Sequence, residues 1–120
     1  MKSCLICAAL VLLLALGCRE QAPPQALTWE SVPSTLTTSF QGAPPAIRNQ
    51  ALAAVSALQS NDVVTASLQL ETLCGQPGLT ERQREDATRC WLTVKERLRA
   101  AAAAGDPSAS EVIQLQRGVK

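Results

Sequence analysis

The chain of 120 residues contains no histidine and no tyrosine, and its aromatic residues are one phenylalanine and two tryptophans. Without histidine there is no Ser-His or Cys-His pair for nucleophilic catalysis. Few aromatic rings argue against a stacking platform for single-stranded nucleic acid. The chain also lacks a Ser-x-x-Lys motif and a glycine-rich phosphate loop. We therefore expect no catalytic residue and predict that the protein is not an enzyme.

Excess charge of either sign is also absent. Eleven basic residues face ten acidic ones, and leaving out Lys2 at the start of the chain makes the balance zero. A balanced chain is not drawn to nucleic acid or to an anionic lipid surface. We expect no nucleic-acid partner, no metal and no cofactor.

An uncharged run opens the chain. No residue from Ser3 to Gly17 carries a charge, and Lys2 precedes the run. A basic start, an apolar core and a small residue at the end are typical of a secretory signal peptide. The run is shorter than the about 20 apolar residues that a transmembrane helix needs. We predict a signal peptide over residues 1–17.

The last residues of this run, LALGC at 14–18, resemble the lipobox of bacterial lipoproteins. In that family a small residue precedes an obligatory cysteine, so the resemblance implies cleavage after Gly17 and lipidation of Cys18. The usual leucine-then-small order is reversed before Gly17, which the looser form of the motif allows. Two or more acyl chains anchor a protein stably. The alternative is an ordinary secretory signal in which Cys18 is incidental.

The resemblance also bears on location. In lipoproteins of enteric-type bacteria, an aspartate after the lipidated cysteine is the usual signal for retention in the inner membrane, whereas this chain has Arg19. By resemblance we expect a lipid anchor in the cell envelope, and an outer-membrane position facing the periplasm if the source has two membranes.

Five cysteines are present, of which Cys4 and Cys7 fall in the signal peptide and Cys18 is the lipidation site. Cys74 and Cys90 remain in the exported chain. Because exported compartments are oxidising, we predict a disulfide between them. Closing their loop of fifteen residues is worth about 3 kcal/mol in the chain-entropy model. A zinc site would lack further soft ligands, and a catalytic thiol would lack an imidazole.

Prolines dominate the next segment. Residues 19–45 contain five of them, and we predict that residues 18–45 form a lipidated tether to the membrane. Val32, Leu36 and Phe40 recur every four residues, which is compatible with a short helix at 33–40. The β-branched threonines of this segment weaken that interpretation. We expect Trp29 and Phe40 to pack onto the helical core; the alternative is a patch that contacts a lipid or a partner.

From residue 46 to residue 118 the apolar residues recur at helical spacing. We predict an all-α fold, a small bundle of three to four helices in which an antiparallel hairpin precedes a long third helix. The boundaries rest on residues typical of helix caps and breaks: Asn61 or Asp62, Gly75 to Gly78, Thr80 with Gln83, and Gly105 with Asp106 and Pro107.

The first two helices of this domain resemble a tetratricopeptide-type hairpin. Ala54 matches its small residue in the first helix, and Ala66, Leu70 and Leu73 match positions in the second. Gln50 and Ala57 stand where the family has tryptophan and tyrosine, a departure from the pattern. Such repeats form solenoids from about three copies, and this chain has one.

Charged residues of the third helix are spaced for local ion pairs. We expect three pairs on a solvated face: Arg82 with Asp86, Glu85 with Arg89, and Glu96 with Arg99. The alternative is an anion site formed by Arg82, Arg84 and Arg89.

The predicted function is that of a membrane-anchored envelope lipoprotein whose helical domain binds another protein, of unknown identity. The alternative is a carrier of a small molecule or a lipid. A carrier needs an apolar cavity, and alanine-rich helix faces approach closely and leave little space for one.

Overall fold

The computed structural model describes residues 23–118, which begin with an extended segment and a 3-10 turn at Trp29–Ser31. Five α-helices follow: α1 Val32–Ser39, α2 Pro45–Gln59, α3 Val63–Cys74, α4 Glu81–Ala103 and α5 Pro107–Gly118. No strand occurs among the described residues, so the predicted all-α bundle is confirmed. None of these helices is both long enough and apolar enough to cross a membrane.

Cap residues set the ends of the helices. Asn61 takes a left-handed conformation with φ 56° and ends α2. Asp62 rather than Asn61 caps α3, since its carboxylate accepts the Thr65 N–H at 3.1 Å and the Thr65 hydroxyl at 2.7 Å. At the start of α4, Thr80 and Gln83 form the predicted capping box.

The end of α4 follows the glycine that the sequence indicates. Gly105 has φ 99°, and its N–H donates to the Ala102 carbonyl at 3.1 Å while the Asp106 N–H donates to the Ala101 carbonyl at 3.0 Å. This Schellman arrangement satisfies carbonyls at the helix end. The Asp106 carboxylate then accepts the Ser108 N–H at 3.0 Å and starts α5.

The α2–α3 hairpin packs against α4 through α3, and α1 fills the space between α2 and α4. Small side chains line these contacts, and Ala54, Ala66 and Ala87 are fully buried. The positions on which the tetratricopeptide resemblance rests all lie in this core. Helix α5 folds back on α4 and α3 and forms a second, smaller cluster around Leu98, with Ala109 and Val112.

The structural domain begins before residue 46, where the sequence placed its start. Val32 and Leu36 on α1 are 0% exposed, and Phe40 directly after it is 1% exposed. Their four-residue spacing places all three on one face of a short helix, which the hairpin and α4 cover. The threonines of α1 do not prevent it, because the Thr35 hydroxyl donates to the Ser31 carbonyl at 2.8 Å and the Thr37 hydroxyl to the Pro33 carbonyl at 2.9 Å.

Candidate functional site

The predicted site residues fall in two places. The signal peptide and Cys18 lie outside the described residues. Cys74 is the last residue of α3, and Cys90 lies in the middle of α4, where both contribute to the main core. Both side chains are free thiols in this structure, and the disulfide between them stays a prediction.

The two thiols occupy one neighbourhood. Burial, together with the smaller effect of the charges of Asp86 and Cys74, raises the pKa of Cys90 to about 12. Burial also raises the pKa of Cys74, although a hydrogen bond with Thr88 opposes this rise. Cys74 therefore lies beside the part of α4 that carries Cys90. Because a thiolate is the nucleophilic form, neither cysteine has the character of a catalytic thiol.

Residues 23–28, here called the strap, run along α4. The Leu27 N–H donates to the Thr93 hydroxyl at 2.7 Å, and this hydroxyl lies 2.9 Å from the Leu27 carbonyl oxygen. The Arg89 Nε donates to the Gln25 carbonyl at 3.0 Å. Part of the predicted tether is thus fixed to the helical domain by hydrogen bonds between its backbone and the side chains of Arg89 and Thr93.

Cations cover both tryptophan rings. The Arg97 guanidinium lies 4.3 Å from the centre of the Trp29 ring, and the Lys95 ammonium lies 4.5 Å from the centre of the Trp91 ring. Trp29 and Trp91 also pack against the main core. Each ring therefore packs against the core and is covered on one face by a cation from α4, and both contacts stabilise the fold.

Beside the strap, between α1 and the first half of α4, lies a polar groove of about 590 Å³. We call it the polar groove. Its lining residues are Leu27, Ser34, Thr35, Thr38, Ser39, Thr80, Arg82, Gln83, Asp86 and Arg89. Apart from Leu27, every one of them carries a polar or charged side chain, so the groove suits a polar ligand.

Two polar groups in this groove have unused hydrogen-bonding capacity. The Ser39 hydroxyl is buried and has no hydrogen-bond partner among the described residues. The Asp86 side chain is 14% exposed, and its carboxylate has one ionic neighbour, the Arg82 Nε at 3.8 Å. A sheltered hydroxyl and a sheltered carboxylate are costly to leave without partners, so a ligand that supplied donors would be bound favourably.

Of the three ion pairs predicted on α4, the one between Arg82 and Asp86 is confirmed. The other two, Glu85 with Arg89 and Glu96 with Arg99, do not form among the described residues. Arg89 bonds the strap carbonyl instead of pairing with Glu85. Of the three arginines of the alternative anion site, Arg82 and Arg89 line the polar groove, whereas Arg84 does not. Asp86 lies between these two arginines on α4. The sequence predicted for it only an ion pair with Arg82 on the protein surface.

An apolar pocket lies on the other side of α1. Its volume is about 170 Å³, and its lining residues are Leu36, Thr37, Phe40, Gln41, Arg48, Ala51 and Leu52. Pockets for small molecules usually measure about 300–1,000 Å³. This pocket is therefore too small for a lipid chain or a drug-sized ligand.

Comparison of the chain with protein-family models, with curated proteins and with solved structures found no match.

Proposed function

We propose that this chain is a lipoprotein of the bacterial cell envelope, anchored to a membrane through Cys18, and that its helical domain binds another protein. The observation that carries the proposal is the LALGC motif at 14–18, which ends an uncharged run and precedes the helical bundle. A signal of this kind directs the attachment of a diacylglyceryl group to the cysteine thiol, and two or more acyl chains give stable anchoring.

The described core supports a binding module more than an enzyme. Both cysteines have raised pKa values and are protonated at neutral pH. The carboxylates of α4 lie on the surface or in the open polar groove, beside arginines and hydroxyls. A helical bundle with a closed, alanine-rich core offers its outer faces to other molecules.

The alternative, a carrier of lipids or small molecules, has less support. The apolar pocket beside Phe40 holds about 170 Å³, below the usual size for a ligand site. The larger polar groove would not shelter an acyl chain, because moving polar side chains out of water without partners is unfavourable.

Lipid anchoring is tested in cells that are fed a clickable fatty acid. The wild-type protein should be labelled and should sediment with membranes, whereas Cys18→Ser should be unlabelled. Cys74→Ser is the matched control and should be labelled like the wild type. Equal labelling of the wild type and Cys18→Ser would overturn the anchoring proposal. Density-gradient separation of the membranes then tests the proposed outer-membrane position.

The binding role is tested by photocrosslinking in intact cells. A crosslinking amino acid is placed at three exposed apolar positions on different helices: Leu52 and Leu68, each 44% exposed, and Leu115, 62% exposed. We expect at least one position to give a discrete crosslinked band, and mass spectrometry identifies its protein. The same positions in the Cys18→Ser background control for location. No discrete band at any position would contradict a protein-binding role.

A further inference from the structure

The strap shows which end of the domain is nearest to the anchor. Gln25 is bonded beside Arg89 and Leu27 beside Thr93, so the strap runs parallel to α4 and leads back towards the start of that helix. The polar groove lies at this start. Gln25 follows Cys18 by seven residues, and an extended chain of that length spans at most about 25 Å. With Cys18 acylated, the end of the groove at Arg89, to which Gln25 is bonded, is within reach of the membrane surface.

Three charges alternate along the groove. Arg82, Asp86 and Arg89 are four and three residues apart on α4, which corresponds to about 6 Å and about 4.5 Å along the helix. The paired N–H groups of an arginine guanidinium match the spacing of phosphate oxygens, and a carboxylate accepts hydrogen bonds from an ammonium group. The order of the charges therefore fits a ligand that carries a phosphate and an ammonium group joined by a short linker.

The rim of the groove makes an anionic ligand a poor fit. A shallow depression that adjoins the groove adds Glu81 and Glu85 to the same surface. Together with Asp86, they outnumber Arg82 and Arg89. A site with no positive excess attracts a neutral zwitterion more readily than an anionic phosphate.

The side chains that line the groove also favour a primary ammonium group over a quaternary one. Quaternary ammonium groups are bound by aromatic faces, and none of the described residues that line the groove is aromatic. A primary ammonium needs hydrogen-bond acceptors instead. The sheltered carboxylate of Asp86 and the buried, unpartnered hydroxyl of Ser39 are such acceptors.

We propose that the polar groove binds the phosphoethanolamine headgroup of a phospholipid in the membrane that carries the anchor. The phosphate binds between the guanidinium groups of Arg82 and Arg89, and the ammonium donates to Asp86. The groove then holds the start of α4 against the membrane and leaves α5 and the α2–α3 turn pointing away. The membrane as the source of the headgroup rests on the proposed lipid anchor, whereas the headgroup chemistry rests on the groove alone.

The first test uses the full-length protein in an uncharged, phosphate-free detergent. Isothermal titration calorimetry measures the binding of glycerophosphoethanolamine, glycerophosphocholine, glycerol phosphate and ethanolamine. We expect glycerophosphoethanolamine to bind with an affinity at least about tenfold higher than the other three, a difference of about 1.4 kcal/mol. Equal binding of glycerol phosphate would make the groove a phosphate site and overturn the proposal, as would no binding of glycerophosphoethanolamine.

Variants locate the binding. Asp86→Asn should lower the affinity for glycerophosphoethanolamine at least about tenfold and leave the helical circular dichroism unchanged. Glu111→Gln, which removes an exposed carboxylate from α5, is the matched control and should bind like the wild type. Wild-type affinity in Asp86→Asn would overturn the assignment of the ammonium to this residue.

A second test distinguishes a membrane headgroup from a soluble ligand. Hydrogen exchange of the protein is compared in vesicles of phosphatidylethanolamine with phosphatidylglycerol and in vesicles of phosphatidylcholine with phosphatidylglycerol. Slower exchange around Ser39 and Asp86 in the first vesicles supports the proposal, and equal exchange contradicts a membrane source. The calorimetric titration does not depend on acylation. It can therefore disprove headgroup binding by the groove independently of whether Cys18 carries the lipid anchor.

Discussion

Replacing Phe40 with alanine tests whether α1 and the residue after it belong to the folded core. Phe40 is 1% exposed and is the largest of the fully buried side chains. Phe40 nevertheless lies outside the helical domain predicted from the sequence, which begins at residue 46. If residues 32–40 formed part of a mobile tether, the substitution would leave the stability of the protein unchanged.

The expected loss follows from burial. Truncation of a buried phenylalanine to alanine lowers the free energy of unfolding by about 3–5 kcal/mol, since it removes apolar contacts and leaves a cavity. Single domains are stable by about 5–15 kcal/mol in total. Phe40→Ala should therefore remove a large share of the stability. Phe40→Leu keeps most of the volume and should lose less than about 1.5 kcal/mol.

Urea unfolding followed by circular dichroism at 222 nm measures the effect. With a urea dependence of about 1–3 kcal/mol per molar, the midpoint of Phe40→Ala should fall by about 1 M or more. Leu52→Ala on α2 is the control, since Leu52 is 44% exposed, and it should lose less than about 1 kcal/mol. Equal midpoints for Phe40→Ala and Leu52→Ala would refute the packing of α1 described above.

Four further outcomes are expected. Thr93→Val removes the hydroxyl that holds Leu27 and should lower the free energy of unfolding by about 1–2 kcal/mol, with faster exchange of the Leu27 amide; an unchanged rate would contradict the strap. Asp62→Ala should lose about 1 kcal/mol at pH 7 through the missing cap. Because its hydrogen bonds to Thr65 lower the folded-state pKa of Asp62 below 3.8, this difference should shrink as the pH falls below that value, whereas a constant difference would argue against a cap by the charged carboxylate. In reduced protein the raised pKa of Cys90, about 12, means that the free energy of unfolding should fall as the pH rises from about 9 towards 12, and Cys90→Ala should lack this component. In exported, unreduced protein mass spectrometry should find Cys74 and Cys90 joined, two hydrogens lighter than the dithiol, and two free thiols would rule the bridge out.

The helices from residue 46 onwards could be predicted because their signals are local. Asp62, Thr80 and Gly105 act through bonds to residues within a few positions of themselves, and the apolar period marks the buried faces between them. Such signals do not depend on the tertiary arrangement, so the sequence is sufficient to place the ends of these helices.

The packing of α1 depends on tertiary contacts rather than on local signals. Its threonines have low helix propensity, and the contacts that stabilise it come from α2 and α4. Tertiary packing overrides local propensity in such short helices. Arg89 shows the same limit, since a backbone carbonyl 64 positions away at Gln25 replaced the local partner expected four residues away.

The polar groove depends on that same packing. Ser39 and Asp86 line the same groove only because α1 lies against the first half of α4, and nothing in their separate sequence surroundings indicates it. Because the sequence analysis assigned residues 18–45 to a tether, it did not place the hydroxyl groups of α1 in a binding site on the helical domain. The charged residues of α4 were identified from the sequence, whereas the groove that they line was not.

The most direct test of the central claim is the mass of the amino-terminal peptide of the protein isolated from membranes. We expect the mature chain to begin at Cys18, with a mass increased by a diacylglyceryl group on the thiol. A chain that still contains residues 1–17, or one in which Cys18 carries an unmodified thiol, would contradict the proposed lipid anchor.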